Sequence, residues 1–185
     1  MFVDKNGDKI DFDTLHIESP RLYLRPVIWD DAQVIFENFT PDITLYMSPP
    51  SPKEIEETQT FLRGTIAKRA NFQELVLAIC NCETDEFLGV CGLHQIGEAH
   101  PELGIWLKVS AHGNRFGQEA ITALTKWTRK HIQHEYLVYP VDRNNIPSRK
   151  IPESLCGEIF KAQIGKKMDG GSLDLVFYKI PNQMR

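Results

Sequence analysis

Hydrophobic and polar positions change period several times along the chain, and the changes mark out its elements. Phe2 to Asp11 holds two short apolar stretches about Asn6-Gly7, a pair that favours a tight hairpin turn. From Leu15 to Arg25 the pattern alternates, Leu22 and Leu24 against Tyr23 and Arg25, as in a half-buried strand. Pro26 ends it. Asp30 or Asp31 then caps a short helix with Val34, Ile35 and Phe39 on one side. Ser51-Pro52-Lys53-Glu54 predicts the start of a longer helix: serine as the cap, proline in the first helical position, Glu54 closing a capping box. That helix runs to about Arg69, with Ile55, Leu62 and Ile66 inward.

Three strands follow: Leu75–Asn81, Phe87–Ile96 after a turn at 83–86, and Glu102–Val109. Gly89, Gly92, Gly97 and Gly104 lower strand propensity there but admit bulges or the close approach of a ligand. Gly113–Gly117 leads into a helix over Gln118–Lys130, where Ile121, Leu124, Trp127 and Thr128 keep a helical period. Leu137–Val141 is a short apolar run suited to a buried strand. Ser148–Leu155 reads as a short helix compromised by Pro152, and Glu158–Ile180 as a last hairpin about Asp169-Gly170-Gly171. Two helices, a run of antiparallel strands, then strand, helix, strand, helix and hairpin predict an α+β (mixed α/β) fold, one domain over 1–185 built on one sheet.

Composition narrows the function classes. No stretch approaches the ~20 apolar residues of a membrane span. The charged N-terminus lacks the apolar core of a signal peptide, so the expected compartment is the cytoplasm, with no membrane partner. Twenty-one Lys and Arg stand against 25 Asp and Glu, for a net charge of -4, which argues against a nucleic-acid partner. Cys80, Cys82, Cys91 and Cys156 form no CxxC pair and read as reduced, buried thiols. No metal is expected. Asp4-Lys5-Asn6-Gly7-Asp8 departs from a calcium loop, since its glycine comes early and Leu15 holds the place of the bidentate glutamate. His131 and His134 lack a third ligand nearby in sequence, and His94 reads as a polar strand residue.

The candidate chemistry lies between the strand at Glu102 and the following helix. A glycine-bearing loop opens that helix, whose first N–H groups lack intrahelical partners and carry the positive end of its dipole. Such a terminus suits a phosphate or pyrophosphate. Neither GxxxxGK[ST] nor GxGxxG is present.

The segment resembles the acyl-CoA pyrophosphate loop of GNAT N-acetyltransferases, Gln/Arg-x-x-Gly-x-Gly/Ala. His112 takes the first position, Arg115 the fourth and Gly117 the sixth; only Gly117 is of the family's type. Gly104-Ile105-Trp106-Leu107 before the loop, Glu119-Ala120 after it, Glu18 to Pro26 followed by Asp31-Ala32, and Asn145-Ile-Pro-Ser148-Arg149 followed by Glu153-Ser-Leu155 are similar, in the same order, to the RimJ/RimL-like branch. The resemblance implies a mostly antiparallel twisted sheet, splayed between two strands and flanked by about four helices, with acetyl-CoA as co-substrate. The pantetheine arm would lie against Leu107 and Val109, and the pyrophosphate on the loop from His112 and Gly113 through Asn114, Arg115, Phe116 and Gly117 to Gln118. Glu102 is the implied base, direct or through water. Ser148 would meet the leaving thiolate, Asn145 would clamp the pantetheine or a water, and Tyr139 is a second proton donor. The acceptor is a primary amine, either a small molecule or a protein N-terminus. Arg115 and His112 leave an alternative: a module that binds acyl-CoA without turning it over. The oligomeric state stays open, a homodimer included.

Overall fold

The computed structural model describes residues 1–182. The first ten residues form a hairpin of β1 (Phe2–Val3) and β2 (Lys9–Ile10). Asp4 closes this hairpin. Its carboxylate accepts the Asn6 and Asp8 N–H groups and meets His131 Nδ1 at 2.7 Å. The hairpin also caps the end of a helix: Lys5 N–H and Asn6 Nδ2 donate to the carbonyls of His131 and Lys130.

The eight other strands form one sheet. They are β3 (Ile17–Glu18), β4 (Leu22–Pro26), β5 (Glu74–Asn81), β6 (Phe87–His94), β7 (Glu102–Leu107), β8 (Tyr136–Asp142), β9 (Glu158–Lys166) and β10 (Ser172–Pro181). Their spatial order is β3-β4-β5-β6-β7-β8-β10-β9. All neighbours are antiparallel except β7 and β8, which run parallel and meet at one register position, Glu102 opposite Val138. Beyond it the two strands part.

Two layers cover the sheet. On one side α4 (Phe116–His131) and α5 (Ile146–Ser154) pack on Leu75, Leu77, Leu103, Leu137 and Tyr139. On the other, α1 (Ala32–Asn38) and α3 (Ile55–Ala70) pack on Val76, Ala78 and Val90. β5 is buried on both faces from Glu74 to Cys80, which is why it reads as a continuous apolar run. β9, at the edge, is almost wholly exposed and carries Lys161 and Lys166, charges that discourage pairing with another chain.

Four expectations are corrected. The long helix begins at Ile55, with Glu54 at the cap, not at Pro52. Prolines at 49, 50 and 52 hold the preceding segment extended, and the Glu57 carboxylate, rather than that of Glu54, reaches back to the Lys53 N–H. The inward stripe of α3 is Thr58, Leu62, Thr65 and Arg69, with Ile55 and Ile66 half-buried. Its polar members are satisfied: Thr65 donates to Glu74, and Arg69 donates to Asp13 and the Val27 carbonyl. A fifth helix, α2 (Pro41–Thr44), joins the four expected. Cys82 and Cys156 are exposed; only Cys80 and Cys91 are buried.

Candidate active site

The loop after β7 is fixed before any ligand arrives. A 3-10 turn at Val109–Ala111 brings the chain to Gly113 (φ +80°) and Arg115 (φ +60°), where α4 starts. The first intrahelical bond runs from Glu119 N–H to the Arg115 carbonyl, so the amides of Phe116, Gly117 and Gln118 lie at the open end of the helix. Two segments far apart in sequence hold this end. Ser19 Oγ and Arg21 N–H donate to one oxygen of Glu119 at 2.9 and 2.8 Å, and Arg21 Nε donates to the other at 2.8 Å. Burial pushes the Glu119 carboxyl up, but the bonds from Arg21 and Ser19 outweigh it and hold it below its ordinary value. The Arg21 guanidinium also lies 4.6 Å from the Phe116 ring centre and donates to the Asn114 carbonyl.

The loop residues divide by role. An added Cβ at Gly113 would meet open space, so this glycine leaves the backbone bare where an anion can approach. Around Gly117 the space is filled by protein: an added Cβ would stand 3.2 Å from Ile151 Cδ1 and 3.5 Å from Leu107 Cδ1. Gly117 seats α4 close against β7 and α5. Asn114 Nδ2 donates to the His112 carbonyl, and His112 Nε2 reaches back 2.9 Å to the Leu107 carbonyl. The Val109 carbonyl accepts the His112 N–H. The main-chain acceptors at 107 and 109 are thus engaged within the loop itself.

Arg115 holds a left-handed backbone that suits glycine, at a cost of order 1 kcal/mol, and its side chain is exposed. Arg115→Gly relieves that strain, while the freer unfolded chain offsets part of the gain. Thermal denaturation is expected to show unchanged or slightly raised stability. Calorimetry is expected to show CoA affinity lowered about fivefold through loss of a phosphate-reading guanidinium. Raised affinity would instead make Arg115 an obstruction.

Across the opening stand the β8 and α5 groups. Tyr139 is buried, and its hydroxyl lies 2.8 Å from Ser148 Oγ. Burial raises the Tyr139 phenol to about 12, against the opposing Ser148 bond, so it stays protonated through neutral pH. Asn145 caps α5, its Oδ1 accepting the Ser148 N–H at 3.3 Å. Ser148 is therefore not the cap, and its hydroxyl is left to Tyr139 and to the opening.

The opposite face of the sheet carries a row of ionisable groups that sequence reasoning did not assemble. Register places Glu74 on β5 opposite His94 on β6, and His94 opposite Glu102 on β7. His94 Nδ1 lies 3.2 Å from Glu74 Oε2. Burial pushes Glu74 up, but bonds from His94, Lys68 and Thr65 outweigh it and keep the carboxyl below its ordinary value. An ionised carboxylate only accepts, so Nδ1 carries the hydrogen and neutral His94 presents a bare Nε2. The ring lies over the facing Gly92–Gly104 pair: a Cβ at Gly92 would come within 2.6 Å of Nε2. Glu102 is half-buried, and burial raises its carboxyl, opposed by His94. The signal available in the sequence was the pair of strand glycines.

His94 opens onto a cleft of about 460 Å³ between the sheet, α1, α3 and the proline-rich segment at 47–52. The open end of α4 and this cleft thus lie on opposite faces of the sheet, both beside the place where β7 and β8 part.

Comparison with known proteins agrees with this geometry. A family model described as "Acetyltransferase (GNAT) domain" matches residues 21–156. The chain is 27% identical over 146 residues, 77% of its length and 81% of the relative's, to the uncharacterized N-acetyltransferase p20 of Bacillus licheniformis. Among solved structures, the RimL ribosomal L7/L12 alpha-N-protein acetyltransferase in complex with coenzyme A superposes with a TM-score of 0.80 at 18% identity, over 90% of this chain and 98% of that one. The microcin C7 self-immunity acetyltransferase MccE, in complex with acetyl-CoA and AMP, gives 0.78 at 16%, over 88% and 93%.

Proposed function

The chain belongs to the GNAT acetyltransferase family, and from that premise we propose that it transfers an acetyl group from acetyl-CoA to a primary amine by direct attack in a ternary complex. The observation that carries the reading is the single β7–β8 contact with a phosphate-ready helix end beside it. The residues present fit the cofactor. The bare Gly113 backbone and the open amides of α4 suit the pyrophosphate, Arg115 supplies a cation beside it, and the parted strands leave room for the pantetheine arm along Leu107. Asn145 spends Oδ1 on its cap and keeps its amide hydrogens for the arm or a water.

Acetyl-CoA supplies the activated thioester. For the chain's own groups, the work is proton management. The amine must attack as a neutral nitrogen. Glu102, beside the opening, draws the ammonium in and accepts its proton directly or through water. As the nitrogen–carbon bond forms and the carbon–sulfur bond breaks, the surplus proton on nitrogen goes to Nε2 of His94, oriented by Glu74. The departing sulfur takes a proton from Ser148, which Tyr139 resupplies, and the proton held on His94 returns through solvent to the Tyr139 oxygen. Atoms and charge balance: amine and thioester give amide and thiol, and the proton that Glu102 took from the ammonium passes to solvent.

Calorimetry with acetyl-CoA, CoA and the 3′-dephospho form, followed by turnover on a panel of primary amines, tests the reading. Micromolar binding with amine-dependent release of CoA is the expected result. Binding without turnover on any amine would leave an acyl-CoA-binding module, and absence of binding would remove the loop assignment and with it the roles of Glu102, Asn145 and Ser148. Among the described residues, no helix is long and apolar enough to cross a membrane.

A further inference from the structure

The cleft beside His94 has a chemistry of its own. Its walls are apolar and aromatic. Phe39 and Trp106 pack with ring centres 5.0 Å apart, and Phe61 and Met168 leave large surfaces exposed at its edge. Its ionisable lining groups are Glu57 and His94, and no Lys or Arg lines it among the described residues. Glu102 stands next to His94 on the same face by register. The cleft is roofed from a distance. The turn between β9 and β10 is tied over it by Met168 N–H to the Ser48 carbonyl at 3.1 Å and by Lys167 Nζ to the carbonyls of Thr44 and Leu45 at 3.2 and 3.1 Å.

Resting on the proposed acetyl transfer, we infer that the acceptor is a small primary amine on an aromatic or branched apolar body that carries no carboxylate. The volume of about 460 Å³ lies in the range of small-molecule sites, which combine apolar walls with a few placed polar groups. An ammonium group is drawn to Glu57 in the lining and to Glu102 beside His94. A carboxylate on the acceptor would be brought beside these carboxylates with no Lys or Arg in the lining to meet it, since the Lys167 ammonium in the roof is engaged by the Thr44 and Leu45 carbonyls, and such like-charge placement is a strong means of rejection. A polyamine would bury a second cation against Phe39, Phe61 and Trp106, at the desolvation cost of an unpaired charge. The roof tied across residues 44–48 and 167–168 covers one side of the cleft and narrows the room for a longer acceptor.

The test compares 2-phenylethylamine, phenylalanine, spermidine and a phenylalanine-amide-capped tripeptide as acceptors for acetyl-CoA, with equilibrium binding of 2-phenylethylamine to the CoA complex measured alongside. The expected result is kcat/KM for 2-phenylethylamine at least about 100-fold above each of the others. Phe61→Ala, at the cleft edge, is expected to lower the preference for 2-phenylethylamine over methylamine about tenfold. Equal or better turnover of phenylalanine, spermidine or the tripeptide overturns the inference. If no amine is acetylated, binding of 2-phenylethylamine to the CoA complex sustains the pocket assignment and removes only the reaction; no binding overturns the pocket assignment.

Discussion

Glutamine in place of His94 is expected to lower kcat/KM for amine acetylation about 100-fold near neutral pH, the usual scale for one positioned base, while acetyl-CoA affinity stays unchanged. His94 lies on the acceptor face of the sheet, away from the pyrophosphate loop, so the loss falls on proton transfer. The pH profile separates this role from a structural one. Glu102 must be ionised to act, and burial raises its carboxyl. Activity should therefore fall as pH drops through a value above the ordinary carboxylate range. Glu102→Gln removes that limb, and its deficit is largest above that value, where the wild-type carboxylate is ionised. Glu74→Gln, which touches no substrate, should give a smaller loss than His94→Gln, because a carboxamide can accept from or donate to Nδ1 and no longer fixes its hydrogen. Steady-state rates between pH 5 and 9 check all three. An unaltered profile in His94→Gln would assign the proton to a water chain.

Valine at position 117 should weaken CoA binding by tenfold or more and lower the melting temperature with it. The two added methyl groups meet Ile151 and Leu107, where even one Cβ is tight. Overpacking of this kind costs roughly 1–3 kcal/mol. The strain is relieved by moving α4 away from β7, which displaces the amides of its first turn. Alanine at the same place should do less on both counts, since the Ile151 and Leu107 contacts are the ends of flexible side chains. Thermal denaturation and calorimetry on the pair supply the check. Full stability with lost binding in the valine variant would restore a direct role for Gly117 against the phosphate.

The elements that could be read in the sequence are those whose signals are local. Alternation at Leu22 to Arg25, the continuous run at Leu75 to Cys80, and the Asn6-Gly7 and Asp169-Gly170-Gly171 turns each report a strand or hairpin through neighbours a few residues away. The helix start at Ser51 misled because its capping signal is also local, and Pro49, Pro50 and Pro52 govern the backbone there more strongly. α2 is too short to leave a period. Of the candidate site, the glycine loop running into a helix start was legible, because loop and helix are contiguous in sequence. The row of groups on the other face was not. Glu74, His94 and Glu102 become neighbours only through the register of three strands, and that register includes an irregularity between Ile79 and Cys80. The roof joins residues more than 120 positions apart, and no sequence period reports such a meeting. Ser19, Arg21 and Glu119 are an intermediate case: each lies in a segment resembling the RimJ/RimL-like branch, and the fold makes them one cluster.

The lone Glu102–Val138 contact has a mechanical meaning as well as a chemical one. Strands β3 to β7 form one plate and β8, β10 and β9 another, joined across the sheet at the Glu102–Val138 register position and, just before it, by the Glu135 and Val138 N–H bonds to the Ala99 and Pro101 carbonyls, with α4 as the strap behind. Such an assembly resists bending within each plate and yields between them. A pantetheine arm lying in the gap, as proposed, would act as a cross-brace: the compound that brings the acetyl group would also stiffen the frame that must hold it, so that occupancy and rigidity would rise together.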